Sequence, residues 1–497
     1  MKKSLYLVLL LAGLSFLSLL VAVGIIRGGS SRVAITQEIV AGDQKAAAGI
    51  TLSLASHLNG RLFWNTEYTI GDGGGIQSEF TFSSSRVSWG WEQWEAGIYI
   101  GTNSNVFDKK TSMAQTASGF ALPKISADVV GRMEGMEYVE TVRIGDYYEK
   151  YPLVFRVWGS SVQYDSYSKA VGYLTNFFHI PTSQDRMEVY VKKYSDDKYA
   201  QIRYLRGTKV YDSQSVEIAD ASTFGQDGLY YAYTLVNTET GECVDRGQNT
   251  GIFYCPYQRE GFGLRLDLNE MKKVCDLPEG MVLLALALDE EENFLYLALE
   301  GKEGGSLFVY QLGKNNVLEE DRMPEEGMGW EEGIILREEI ALGEMGETGS
   351  FCQMAVVDGG ILLTWNDNSF SFVARKEGQH RLWCFGRFPE TMGEYGSEGM
   401  KNPFPRENTC LFDGNRLVLA AFENWEDMTV RLVVHNEKGQ LYDGRYQNSQ
   451  DTEPGFAPGE GIVPQGARIW APNSAWSMKK GDAIVTALKL EGKGAGN

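Results

Sequence analysis

One local pattern repeats along most of this chain. From about residue 49, an apolar or aromatic run of 5–9 residues meets a Gly, Asp or Asn turn, and another run follows. The runs include 293–299, 306–312, 360–365, 416–422 and 429–435. They are short, rich in β-branched and aromatic residues and bounded by turn formers, which is the signature of strands. Asn59-Gly60, Asp227-Gly228, Asp358-Gly359, Asp413-Gly414 and Asp443-Gly444 supply dipeptides that tolerate the left-handed backbone of hairpin turns. Beyond the amino terminus there is no long 3.6-residue stripe. A helix competes over Asp43 to Leu58, against Gly49 and Thr51. The pattern predicts an all-β domain.

A longer period lies over the short one. Turn aspartates followed by apolar runs stand at Asp227, Asp289, Asp358, Asp413 and Asp482, at spacings of 62, 69, 55 and 69 residues. A four-stranded antiparallel unit needs about 40–60 residues, and a radial array of such units is a β-propeller. Residues 49–490 then hold about seven units. The run 483–490 is placed to pair with a strand near 50–54 and so remove two exposed edges. On this strand grammar and spacing, the region resembles extracytoplasmic β-propellers that serve as scaffolds and binding platforms. The Gly-His and Trp-Asp marks of WD40 blades are absent. The segment Asp358 to Trp365 only approximates a sialidase Asp-box, and no adjacent cysteines suggest a quinoprotein. Residues 60–220 repeat less cleanly, so two separate β domains are the alternative architecture.

The amino terminus carries a different signal. Met1-Lys2-Lys3 precedes an uncharged run from Ser4 to Ile26, 23 residues long, closed by Arg27. At about 1.5 Å per residue this run is long enough for a bilayer core of about 30 Å. It exceeds the usual apolar stretch of a cleaved signal and lacks a clean small-x-small site. The sequence thus predicts a signal-anchor over 4–26, embedded in the lipid bilayer, with residues 1–3 as a cytoplasmic tip. Residues 27–48 read as a linker, 49–490 as the propeller-like domain and 491–497 as a flexible tail. The expected location is the cell membrane, single-pass, with the bulk of the chain extracytoplasmic.

Charge narrows the partners. Of 497 residues, 66 are acidic and 46 basic, so the formal net charge is -20, which excludes nucleic acid. Residues 289–347 hold 17 acidic and four basic side chains. The densest part includes Glu319, Glu320, Asp321, Glu325, Glu326, Trp330, Glu331 and Glu332. It reads as a long exposed loop, the candidate docking site for a protein or cell-envelope ligand. The six cysteines include no Cys-x-x-Cys, and Cys243 and Cys255 flank a plausible hairpin, making them the candidate disulfide.

Catalytic motifs are absent by pattern. There is no zinc-protease, nucleophile-elbow, phosphate-loop or dinucleotide signature. His57, His179, His380 and His435 lie far apart in the sequence and read as isolated histidines. The glycine loop 71–75 reads as a turn, and Asn366-Asp367-Asn368 lacks the spacing of a calcium loop. No cofactor, metal or catalytic residue is assigned. Trp89, Trp91 and Trp94, and Tyr147, Tyr148 and Tyr151, form aromatic clusters that either fill space between sheets or stack on sugars. The leading expectation is a non-catalytic, membrane-tethered binding platform. The alternative is a carbohydrate-active hydrolase or lyase with its carboxylate site in the propeller funnel, marked by clustered carboxylates with a Tyr or Arg there.

Overall fold

A computed structural model describes residues 6, 10–21, 24, 35–58, 62–71, 75–82, 94–100, 105–108, 123–132, 135–159, 162–167, 171–182, 185–192, 198–205, 216–237, 240–260, 263–313, 334–343, 352–365, 368–389, 410–424, 429–448 and 483–492. The chain is mostly β. Its first strands are β1 (Ile35–Gly42), β2 (Ile50–Leu58), β3 (Leu62–Thr69), β4 (Ile76–Phe82), β5 (Trp94–Ile100), β6 (Asn105–Asp108), β7 (Glu137–Arg143), β8 (Leu153–Gly159), β9 (Val162–Tyr167) and β10 (Arg186–Lys192). Next come β11 (Lys198–Leu205), β12 (Val216–Phe224), β13 (Gly228–Asn237), β14 (Gly251–Glu260), β15 (Gly263–Leu266), β16 (Lys272–Cys275), β17 (Val282–Asp289), β18 (Phe294–Gly301), β19 (Gly304–Leu312) and β20 (Ile334–Gly343). The last are β21 (Cys352–Val357), β22 (Gly360–Trp365), β23 (Ser369–Lys376), β24 (Gln379–Arg387), β25 (Cys410–Phe412), β26 (Leu417–Asn424), β27 (Thr429–Asn436), β28 (Gly439–Asn448) and β29 (Ala483–Gly492). Among the described residues two helices lie between strands, α1 (Pro123–Arg132) and α2 (Val171–Phe178).

The chain divides into two compact units, residues 1–91 with 354–497, and residues 92–353. The first unit holds three sheets, ordered β1-β28-β27-β26-β25, β29-β2-β3-β4 and β21-β22-β23-β24. The second holds β5-β8-β9, β6-β11-β10-β7, β17-β18-β19-β20, and β12-β13-β14-β15 with β16 beside β14. The registers are antiparallel in each.

Alternation builds the core of the first unit. On β27, Val430, Leu432 and Val434 pack with Ile50, Leu52 and Ile70. Val433 points the other way, into a cluster with Phe370, Phe372 and Leu419. Successive side chains of a strand face opposite sides, so this strand is buried on both faces. In the second unit, Phe155, Phe178, Tyr231, Tyr233 and Phe253 form an aromatic core with edge-on ring contacts.

Both chain ends are tied into sheets of the first unit. β29 pairs with β2 from Ile50↔Gly492 to Leu58↔Ala483, as the sequence predicts. The linker expected at 27–48 is corrected, because it contains β1, which pairs with β28 from Ile35↔Asn448 to Gly42↔Tyr442. The competing helix at Asp43–Leu58 reduces to a 3-10 turn at Gln44–Ala47, with the Asp43 side chain accepting from the Lys45 amide. Asp443-Gly444 is not a turn but mid-strand in β28. A Cβ on Gly444 would stand 2.2 Å from the Tyr442 hydroxyl, so glycine is there for space.

The two helices escaped the sequence reading because each spans under three turns. α1 opens on Pro123 and buries Ile125 and Val129. α2 buries Leu174 and Phe178 and exposes Asn176, and His179 closes it at φ 52, where glycine is usual. Of the run 4–26, the described residues are Tyr6, 10–21 and Gly24, all helical. Twelve residues reach only about 18 Å, and among the described residues no helix is long and apolar enough to cross a membrane.

Gly42 gives a direct test of the β1–β28 seam. Its φ is +79, and a Cβ there would stand 2.0 Å from the Leu441 carbonyl oxygen. Gly42→Ala is expected to cost about 1–3 kcal/mol in urea unfolding, through a left-handed backbone and an immovable neighbour.

Candidate functional site

The exposed face of α1 and the strand after it bring together the polar groups that a reactive surface needs. Asp128 and Arg132 lie four residues apart on α1, flanking the buried Ile125 and Val129. Arg132 Nη2 is 2.9 Å from Asp128 Oδ2, and Nη1 is 2.8 Å from Glu140 Oε1 on β7. One guanidinium therefore bridges two carboxylates from different elements. Arg132 Nη2 also donates to the Tyr147 hydroxyl at 3.0 Å. That hydroxyl donates to Asp128, and the Tyr138 hydroxyl donates to Glu140 Oε2 at 3.1 Å. The side chains of Asp128 and Arg132 are about half exposed, at 46% and 45%, so solutes reach them.

The electrostatics keep these groups in defined states. The bond to Asp128 raises the Tyr147 pKa, with burial adding to it, so the phenol stays a proton donor. Burial works against the Arg132 charge, but Glu140, Tyr147 and Asp128 outweigh it and raise its pKa. Beside them, the Lys124 amide donates to the Tyr148 hydroxyl at 2.9 Å. The Lys124 ammonium sits 5.3 Å from the centre of the same ring.

A buried ion pair stands behind this surface. Arg246 binds Asp185 through both terminal nitrogens, at 2.7 and 2.9 Å, and Tyr151 donates its hydroxyl to the same carboxylate. Both charged side chains are about nine-tenths buried. Burial, then the Asp185 charge, raises the Tyr151 pKa far out of the titratable range. A second buried pair lies in the first unit, where Arg431 on β27 holds Asp443 on β28 at 2.5 and 2.7 Å. His435 lies four residues along the same face of β27, with neither ring nitrogen hydrogen-bonded in the protein and its ring edge-on to Phe370.

The residues singled out in the sequence fare differently. The acidic stretch Glu319, Glu320, Asp321, Glu325, Glu326, Trp330, Glu331 and Glu332 lies outside the described residues, as do Trp89, Trp91 and Asp367. Tyr147 and Tyr151 are brought into the two clusters above. Cys243 and Cys255 are both free, which corrects the expected disulfide. Cys243 bridges to Val236 and Cys255 faces Leu229, at opposite ends of β13. Seven residues of extended strand separate those ends by about 23 Å, far beyond disulfide reach. Cys255 is instead a core thiol pushed up to about 12 by burial. Among the described residues no His, Cys, Asp and Glu group is arranged to hold a metal ion. Sequence reading missed Asp128, Arg132, Glu140, Asp185 and Arg246. Only the i, i+4 spacing of Asp128 and Arg132 was legible, and no helix was assigned there.

No protein-family model and no curated protein matches the chain. Among solved structures, similarity runs to a putative 6-phosphogluconolactonase from Bacteroides uniformis, at 8% identity over 81% of this chain and 95% of that one, with a TM-score of 0.28. It runs also to the periplasmic gluconolactonase of Pseudomonas aeruginosa, at 12% identity over 80% and 99%, with a TM-score of 0.26. A third is Kluyveromyces lactis Hsv2, at 10% identity over 80% and 99%, with a TM-score of 0.23. The expectation of a non-catalytic platform is corrected here. Two of these names are gluconolactonases, not binding platforms.

His435 supplies a stability test independent of function. Burial pushes its pKa down to about 4, against a smaller upward pull from Asp443. The unfolded chain takes the proton first, near pH 6.5, so the His435 contribution to stability is flat above pH 7 and falls as pH drops towards 4. The loss reaches about 3 kcal/mol. His435→Leu removes the pH slope at small cost, because no hydrogen bond is lost. Urea unfolding at pH 7.5 and pH 5 measures both expectations.

Proposed function

We propose that this protein is a hydrolase of carbohydrate-derived substrates, with Asp128, Arg132, Glu140 and Tyr147 as its reactive surface. The observation that carries the reading is one exposed guanidinium bridging two carboxylates, with a neutral phenol on one of them. In this reading one carboxylate takes a proton from water as the water oxygen bonds to the electrophilic carbon. Arg132 stabilises negative charge developing on the substrate oxygen, and Tyr147 supplies a proton donor to it. The C–O bond of the lactone or glycoside breaks, and the leaving oxygen ends protonated. Planar carboxylates and a guanidinium also suit the vicinal hydroxyls of a sugar.

The reading keeps two further parts. We take the seven antiparallel sheets as blades of a β-propeller, supported by their three to five strands each and by the pairing of both terminal strands. We also place the run 4–26 in a membrane. Its support is the exposure of Leu10, Leu14, Phe16, Leu17, Leu20 and Val21 on all sides of the helix at 10–21. The Ser18 hydroxyl folds back onto the Ser15 carbonyl at 2.8 Å, as an apolar solvent requires.

The test is turnover by the purified full-length protein on sugar lactones and aryl glycosides. Asp128→Asn and Glu140→Gln are each expected to lower kcat/KM by about 10²–10⁴-fold. A substrate hydrolysed equally well by both variants would place the reaction elsewhere. For the membrane part, carbonate washing should leave the wild type in the membrane fraction and release a Leu14→Lys, Leu17→Lys variant. Release of both would refute the anchor.

A further inference from the structure

We infer that the Arg246–Asp185–Tyr151 cluster is the positioning device of the proposed reactive surface, fixing where Tyr147 presents its hydroxyl. The functional half of this inference rests on the reading above, and the structural half does not.

The inference follows from where the segment carrying Tyr147 is fastened. The Ile144 amide donates to the Asp185 carbonyl at 2.9 Å, and the Tyr151 amide donates to the Ile180 carbonyl at 2.9 Å. Between them, the Thr182 amide donates to the Glu149 carbonyl at 3.1 Å, and the Thr182 hydroxyl donates to the Tyr148 carbonyl at 2.7 Å. Residues 144–151 are thus laced along residues 180–185. Asp185 is the knot. Its carbonyl holds the start of the segment, and its carboxylate holds the Tyr151 hydroxyl at the end.

Arg246 fixes that knot from a third part of the chain. Its guanidinium grips both carboxylate oxygens and reaches the Pro181 carbonyl at 3.4 Å. The loop that presents Arg246 is itself shaped. Gly247 sits at φ +71, and the Arg246 amide donates to the Gln248 side chain at 2.7 Å. Asn249 closes the loop onto α2, with its amide on the Phe178 carbonyl at 2.9 Å.

The division of labour is physical. Asp128 is exposed and Tyr147 only partly buried at the margin of the core, so they gain from an outside constraint to hold the few tenths of an ångström that reactive groups need. A buried bidentate ion pair can, because breaking it strands a charge. Arg246 and Asp185 touch none of the exposed groups. They act through the backbone of 144–151, which makes them positioning residues.

The test is hydrogen exchange on the full-length protein, read by mass spectrometry. Tyr151→Phe removes only the hydroxyl and keeps the ring. It is expected to raise amide exchange in 144–151 on the order of tenfold while β18 in the same unit keeps its protection. Arg246→Met is expected to give the larger rise, and Arg246→Lys, which keeps the charge, to recover part of it. If Arg246→Met does not fold, Tyr151→Phe and Arg246→Lys decide. Unchanged exchange in 144–151, or an equal rise throughout the unit, would overturn the inference. Where the wild type hydrolyses a sugar lactone or glycoside, Tyr151→Phe should lower kcat with KM little changed, and the reverse split would overturn the positioning role. A wild type without turnover would sink the hydrolase reading while the exchange result still judges the knot.

Discussion

Two-sided burial of strands is the constraint on which the rest depends. β27 packs Val430, Leu432 and Val434 on one face and Val433 on the other, so neither face meets water. A sheet buried on both sides has no room for an unpaired charge, since an isolated buried ion costs several kcal/mol. Where Arg431 occurs in such a strand, Asp443, diagonally across on β28, takes up its charge through two bonds. Where His435 occurs, it must stay neutral. The same rule sends reactive groups elsewhere. Asp128, Arg132, Glu140 and Tyr147 lie on the outer face of a short helix, on an edge strand and in a connection, where water meets them.

Terminal pairing follows from the same constraint. An unpaired strand edge is a template for aggregation, and a chain of many sheets has many edges to cover. β29 covers β2 and β1 covers β28, so the first unit is stitched by both ends of the chain. Gly42 lets β1 approach the Leu441 carbonyl closely, and Gly444 leaves space for the Tyr442 ring two residues before it on the same strand. Both glycines serve packing, which is why Asp443-Gly444 does not form the turn that its dipeptide suggests.

The strands were legible because their signal is local. The run at 360–365 coincides with β22, and the one at 429–435 falls within β27, because alternation and β-branched content are read from neighbours in sequence. The pairing of 483–490 with the first long strand was legible from the need to remove edges. β1 was not, because its residues are mostly exposed and carry no apolar stripe. The buried ion pair joins positions 61 residues apart, and the Tyr151 contact spans 34, so no spacing rule encodes them. The Arg132–Glu140 bridge needs the turn between α1 and β7 before its members meet. Cys243 and Cys255 show the converse. Flanking a hairpin suggests proximity, yet β13 holds them at its two ends.

The two buried ion pairs are chemically alike and structurally unlike. Arg431 and Asp443 lie directly within a hydrogen-bonded ladder, on neighbouring strands whose positions the backbone already fixes. Removing that pair would leave the strands where they are, so its role ends with neutralising buried charge. Arg246 and Asp185 lie in connections outside the long ladders, and their contacts join three segments that otherwise share only scattered backbone bonds. A charge pair in a ladder is compensation, while the same pair between loops determines geometry. The exposed carboxylates stand beside the second kind, and this placement lets a surface of polar, partly solvated groups keep the fixed arrangement that chemistry on a substrate demands.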